Sequence, residues 1–305
     1  MQKQCGFPQL IKEWGLTPFF KWCQTPLFRF EIICLIPLIL FISIFTVIPI
    51  IHTFIISLLD SQRGIPTLAY YKELFTLEDF KTTLFNTVFI ACVSLAIEIS
   101  LGLILALLLS HKSKSLRFLR PLFILPLAIP TVVVGVIMSY LFATSGWINK
   151  IAIDLCLIDS PILWRDGGII SLLMIVFADC WKVTPLVMLI LLAGIEAIDR
   201  NLYEAARIDG ASSFYIFRRI TFPLLLPSIT IAVIIRGIDA FRIFALPLIL
   251  MGHNLKVIGT YSYLEYTEYN NQYLSAASSV LLLCIILFAV SLYIKAAGKK
   301  GIQAF

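Results

Sequence analysis

Five ionisable residues stand where few are tolerated. Glu98, Asp179, Lys182, Arg236 and Asp239 fall near the middle of long apolar runs, and Arg242 follows about a turn further out. A charge at the centre of a membrane helix costs at least about 2.5 kcal/mol, so such groups face a bundle interior or a watery cavity and are functional candidates by default. Asp179 and Lys182 are three residues apart, as are Arg236 and Asp239, so each pair shares a helix face. Two chemistries fit. In one, the groups line a polar cavity and hydrogen-bond a passing solute, with Trp181, Tyr140 or Phe241 offering ring faces. In the other, they pair with one another and hold helices together. Catalytic chemistry finds no support: there is no Ser/His/Asp set, no paired carboxylates in an exposed cleft, and no GxxxxGK[ST] phosphate loop. His52, His111 and His253 are scattered without ligand spacing, so no metal site is expected.

The elements that carry these charges are membrane spans. The chain of 305 residues is 60% hydrophobic and 14% charged, with mean hydropathy +0.95, whereas soluble domains sit near 45–50% apolar and about 25% charged. Six segments are long and apolar enough to cross a bilayer as helices: about 31–59, 84–109, 119–143, 168–195, 223–250 and 275–297. The runs are too continuous for barrel strands. The expected fold is all-α and integral to the membrane, with a segment 1–30, a spanning domain 31–297 and a tail 298–305. The first 30 residues lack a compact apolar run and a small-residue cleavage site, so the first span is expected to direct insertion itself. Their mixture of Trp14, Phe19, Phe20 and Trp22 with Lys12, Lys21 and Arg29 suits an interfacial segment.

Lysine and arginine set the orientation. Of 24, fifteen lie in the N-terminal segment, the second and fourth connectors and the C-terminus, and six in the other connectors. The basic-rich side is cytoplasmic by the positive-inside rule, which places both termini inside. The net charge of +6 then follows from topology, and no nucleic-acid partner is implied. Trp147, Asn149 and Trp164 in the third connector, and Tyr261, Tyr263, Tyr266 and Tyr269 in the fifth, suit the outer interface. Of seven cysteines, only Cys156 falls in an outside segment, so no internal disulfide is expected there.

A second constellation lies in the cytoplasmic connector 196–222. Asp199 or Asn201 can cap a short helix through Glu204, Ala205 and Ala206. Gly210 supplies the left-handed turn that ends it. Ser212 or Ser213 can cap a second short helix carrying Phe217, and Pro223 opens the fifth span.

The run Tyr203-Glu204-Ala205-Ala206-Arg207-Ile208-Asp209-Gly210-Ala211, with Phe217, Ile220, Pro223 and Pro227, resembles the EAA loop of permease subunits in binding-protein-dependent ABC importers. The run Ala178-Asp179-Cys180-Trp181-Lys182-Val183-Thr184-Pro185 is similar to the fourth-span motif of the sugar-importer branch, maltose- and trehalose-type. Asp239-Ala240-Phe241-Arg242-Ile243-Phe244 is similar to its fifth-span motif.

The resemblance implies the type I importer permease fold in a prokaryotic inner membrane. It also implies carriage of a di- or oligosaccharide delivered by an external binding protein. An ABC ATPase dimer would carry the ATP and Mg, and a second permease would complete a heterodimer. Glu204 and Asp209 would offer charge to the ATPase. Ala205, Ala206 and Ala211 would permit close packing, Gly210 would set the angle, and Phe217 would anchor the loop. Asp179, Lys182, Asp239 and Arg242 fall in motifs shared across the family, which favours the ion-pair reading over sugar specificity. Import of sugar phosphates or glycerol phosphodiesters is the close alternative. An ion-coupled secondary transporter is the distant one; it predicts an internal repeat of spans, which the sequence does not show.

Overall fold

The computed structural model describes residues 26–61, 64–110 and 120–302. Residues 1–25 and 111–119 lie outside it, and with them most of the interfacial segment and the second connector. Among the described residues every regular element is helical. The chain divides into two compact units, residues 1–56 and 57–305.

The described part of the first unit is one apolar helical run. It is already helical at Pro26, ahead of the expected span, as α1 (Pro26–Ile42), passes through a π-helical turn (Ser43–Val47) and runs on as α2 (Ile48–Ser57). The turn widens just before Pro49, and the Ile48 N–H bonds the Ser43 carbonyl five residues back. Proline clashes with the carbonyl four residues earlier, and a wider turn relieves that contact.

The second unit begins with α3 (Ala69–Thr76) and the long α4 (Glu78–Leu109). α5 (Arg120–Ala128) and α6 (Thr131–Leu141) follow, then α7 (Trp147–Asp154) and the long α8 (Gly168–Glu196). α9 (Arg200–Ile208) and α10 (Ser213–Ile216) lead through a second π-helical turn (Phe217–Thr221) into α11 (Phe222–Phe241). α12 (Ala245–Met251), α13 (Ile258–Thr267) and α14 (Gln272–Ile302) complete it. α4 packs most extensively on α8, and α11 lies against both. Three apolar clusters fill the interior: Ile90, Met138, Phe142, Ile175 and Leu250 in one, Ala106, Val187, Met188, Leu191 and Leu225 in another, and Leu74, Phe80, Leu274 and Ala277 in a smaller third. Close approach of α8 and α11 requires Gly194, because a Cβ there would lie 2.2 Å from Ser228 Oγ.

Two of the expected spans are broken. The segment expected at 119–143 is α5 and α6, bent by 97° at Ile129–Pro130. Proline disfavours the helical region for the residue before it, and Ile129 is that residue. The segment expected at 223–250 stops at Phe241 and resumes at Ala245. Pro247 explains the gap, since its ring in a continuous helix would meet the carbonyl of Ile243, whereas in the first turn of a new helix its missing N–H costs little. The fifth span also begins earlier than Pro223: Ser213–Phe241 forms one continuous apolar helix, so α10 is its foot and no separate short helix. Its π-helical turn again precedes a proline, here Pro223. α14 extends through Ile302, into the stretch expected as a tail.

The outer-interface expectation also needs correction. Asn149 is buried, and it closes its own loop: its amide nitrogen donates to the carbonyls of Thr144 and Ile162, and its oxygen accepts from Ile162 N–H and Trp164 Nε1. Trp164 stacks edge-on to Phe142 at 5.0 Å. Tyr261 is buried against Phe80 and Leu74. Trp147, Tyr263, Tyr266 and Tyr269 are exposed, as an interfacial position requires. The connectors expected as polar loops are thus folded: α3, α7 and α13 lie within them.

Candidate functional site

Three helices converge on one guanidinium. Arg236, in the last two turns of α11, donates from Nε to Glu98 Oε2 at 2.5 Å and from Nη2 to Glu98 Oε1 at 3.0 Å. Nη2 also donates to Asp179 Oδ2. Glu98 belongs to α4 and Asp179 to α8, so one side chain ties the three helices together. None of the three side chains is more than 6% exposed. The two-point grip on Glu98 matches the planar fork of arginine. Removing one member of a buried ion pair costs about 3–5 kcal/mol, because an uncompensated charge remains. The spacing had paired Asp179 with Lys182 and Arg236 with Asp239; the structure pairs Asp179 and Glu98 with Arg236 across helices.

Beside this triad opens a cavity of about 360 Å³, within the size range of small-molecule pockets, about 300–1,000 Å³. Both helix breaks border it: Leu127 and Thr131 flank one, and Arg242, Ile243 and Phe244 form the other. Non-helical backbone at membrane depth is tolerated where it lines a cavity, which accounts for the place of the breaks. Asp179, Lys182, Arg236, Asp239 and Arg242 all line it. Glu98 is fully buried behind Arg236. Trp181, Phe241 and Tyr140, the ring faces expected from sequence, are not among the lining residues; Phe244 is.

The outer charges differ from the triad. Arg242 Nη2 meets Asp239 Oδ1 once, at 3.3 Å, with side chains 65% and 48% exposed. Exposed pairs of this kind contribute about 0–1 kcal/mol. Lys182 is half-buried and makes no ion pair within 4 Å among the described residues. Counted at formal charge, the set Glu98, Asp179, Asp239, Lys182, Arg236 and Arg242 sums to zero.

At the far end of α8 lies the helix–glycine–helix segment. Asp199 caps α9, its side chain accepting from Asn201 N–H at 3.0 Å, and Ser212 caps α10, accepting from Tyr215 N–H at 3.3 Å. Gly210 has φ +75°. Around it, Ala211 N–H bonds the Ala206 carbonyl at 2.9 Å and Gly210 N–H the Arg207 carbonyl at 3.1 Å, the paired bonds of a Schellman ending. Tyr203 Oη lies 3.2 Å from Thr221 Oγ1, linking α9 to the foot of the fifth span. Phe217 starts the π-helical turn, half-buried, with its ring 6.1 Å from that of Phe222. Glu204, Ala205, Asp209 and Gly210 are exposed, and Ala206 and Ala211 half-buried. Ile208 is 86% exposed, Phe214 71% and Tyr215 55%. The sequence reading missed these three because it tracked the motif positions, and an apolar residue beside charged ones reads as one face of a packed helix.

Residues 98–297 match the family of binding-protein-dependent transport system inner membrane components. The chain belongs to that family. Among curated relatives, the trehalose/maltose transport system permease protein MalF of Thermococcus litoralis is 35% identical over 273 residues, covering 86% of this chain and 91% of that one. The arabinooligosaccharides transport system permease protein AraP of Bacillus subtilis is 31% identical, covering 87% and 88%. The trehalose transport system permease protein SugA of Mycobacterium tuberculosis is 32% identical, covering 72% and 71%. The likeness to the sugar-importer branch, carried in the sequence by the motifs at 178–185 and 239–244, is thereby borne out. The fold is shared with a chain of a bacterial alginate ABC transporter crystallised with an alginate pentasaccharide-bound periplasmic protein (TM-score 0.82, 21% identity, covering 92% of this chain and 98% of that one). The all-helical type I permease architecture follows, with five span-length apolar helices among the described residues and a sixth if the bent pair α5–α6 counts as one span.

Proposed function

We propose that this permease carries a neutral di- or oligosaccharide inward, driven by a separate ATPase that docks on the segment 199–217. Six spans, with α5–α6 as the third, would leave both termini and this segment on the cytoplasmic side, a reading that the distribution of lysine and arginine supports. One observation supports the docking role above others: a doubly capped helix–glycine–helix unit presents Ile208 beyond the spans and Phe214 and Tyr215 at the foot of the fifth. An exposed apolar patch rimmed by polar residues marks an interaction surface. Glu204 and Asp209 are its charged rim, Ala205, Ala206 and Ala211 allow close approach, and Phe217 anchors it to the fifth span. ATP and Mg belong to the ATPase, a second permease supplies the second docking unit of an ATPase dimer, and an external binding protein delivers the sugar.

The names of the relatives support a carbohydrate, and the zero formal charge of the cavity-lining groups taken together with the buried Glu98 behind them supports a neutral one. A sugar-phosphate importer would hold unpaired arginine, whereas Arg236 and Arg242 both have acidic partners. Ion coupling through carboxylates is disfavoured for the same reason, since Glu98 and Asp179 are taken by Arg236. The test is ATP-dependent uptake of trehalose and maltose into proteoliposomes holding the whole complex. Uptake that ceases without ATP is expected, and uptake driven by an ion gradient alone would contradict the reading. Gly210→Asp should abolish ATPase binding while leaving membrane insertion intact.

A further inference from the structure

We infer that Lys182, acting with the Asp239–Arg242 pair, grips the hydroxyls of the solute, while Glu98, Arg236 and Asp179 form a fixed backing that never exchanges its partners for solute. The inference rests on the importer reading and divides its charged set in two. The division follows burial and bonding. Every charge of the triad is met inside the protein, with two hydrogen bonds to Glu98 and one to Asp179. The outer three groups are not closed in this way. Asp239 and Arg242 touch through one long bond and expose about half or more of each side chain. Lys182 sits one turn along α8 from Asp179, on the same wall, with its ammonium unengaged by any carboxylate within 4 Å among the described residues.

The chemistry suits a polyol. A carboxylate only accepts hydrogen bonds, while a guanidinium and an ammonium only donate them. A sugar presents adjacent hydroxyls that both donate and accept, so a wall offering both kinds can hold vicinal hydroxyls without water. Phe244 borders the same cavity and offers an apolar face for the C–H side of a sugar ring. A pair joined by one exposed contact can open to admit solute and close behind it; the triad cannot. Because the outer three carry one net positive charge and the triad one net negative, removing Lys182 leaves the remaining five groups, the buried Glu98 included, with one net negative charge and should disfavour an acidic sugar further.

The complete complex, with ATPase, second permease and binding protein in proteoliposomes, tests this in two arms. In the first, single cysteines at Lys182, Asp239, Arg242, Glu98 and Asp179 are placed in a background lacking native cysteines and treated with a charged, membrane-impermeant methanethiosulfonate from the permissive side. The three outer positions should react at least tenfold faster than the two triad positions. In the second, Lys182→Met should slow ATP-dependent uptake of trehalose or maltose at least tenfold while complex yield and melting temperature stay at wild type. Equal reactivity of Lys182→Cys and Glu98→Cys, or wild-type uptake by Lys182→Met, would overturn the division. If the wild-type complex carries neither sugar, the choice of solute in the proposed function fails, and thiol reactivity alone decides the inference.

Discussion

The intramembrane triad and the helix–glycine–helix segment solve opposite problems. In the triad, polar groups sit where water is absent, and the chain satisfies all of them itself. In the segment, apolar groups sit where the chain offers no cover, and Ile208 and Phe214 remain largely exposed. A buried charge with its partners inside the chain has a structural use. An exposed apolar side chain outside the spans needs another molecule to complete it. Burial sorts the two roles better than residue type does, since both regions are rich in charge.

The sharpest way to break this contrast is Arg236→Met. It strands two carboxylates, so a loss of about 3–5 kcal/mol is expected, seen as a collapse in the yield of folded protein. Neutralising all three, as Glu98→Gln, Asp179→Asn and Arg236→Met together, should recover most of that loss, because well-packed neutral groups can replace a buried ion cluster. Failure of the triple variant to recover would give the triad a task beyond cohesion. Next in size, Phe214→Asp or Ile208→Asp should cost about 2 kcal/mol or more of ATPase binding, roughly thirtyfold in affinity, with insertion unchanged. Co-purification in mild detergent reads this directly.

Much of the fold was legible because apolar length is a strong signal. The span through Asp179 runs close to its expected bounds, and the one through Glu98 ends where expected but begins at Glu78, ahead of the expected 84. The broken spans were hidden because the residues at each break, Arg242 apart, are themselves apolar; Pro130 and Pro247 were the available clues. In the site, charge at membrane depth was readable but its pairing was not. Spacing along one helix pointed to partners three residues apart, whereas Arg236 reaches acids 138 and 57 residues away in sequence. The caps at Asp199 and Ser212 and the turn at Gly210 were legible for the reverse reason: they are local, and each depends on a few neighbouring residues.

Smaller effects sharpen the comparison. Asp199→Ala should cost about 1 kcal/mol of α9 stability through the lost cap, visible as faster hydrogen exchange at Asn201 and weaker ATPase binding without any change in the triad. The smallest effect concerns Glu265, on α13 outside the spans. Burial raises its pKa above the ordinary value of 4.5. A carboxyl raised on folding favours the folded state at low pH and loses that advantage as pH climbs through its folded value. Glu265→Gln should therefore stabilise the protein slightly at neutral pH and have no effect well below pH 4.5, as thermal melting across pH would show.

The most direct test of the central claim is ATPase co-purification with Gly210→Asp set beside wild type. Gly210 has a left-handed backbone and no atom within 4 Å of a would-be Cβ, so the change strains the turn without touching the core. The predicted result is a permease that inserts and folds but brings down no ATPase and drives no uptake. Normal recovery of the ATPase with this variant, or solute uptake by the permease with the ATPase absent, would contradict the account.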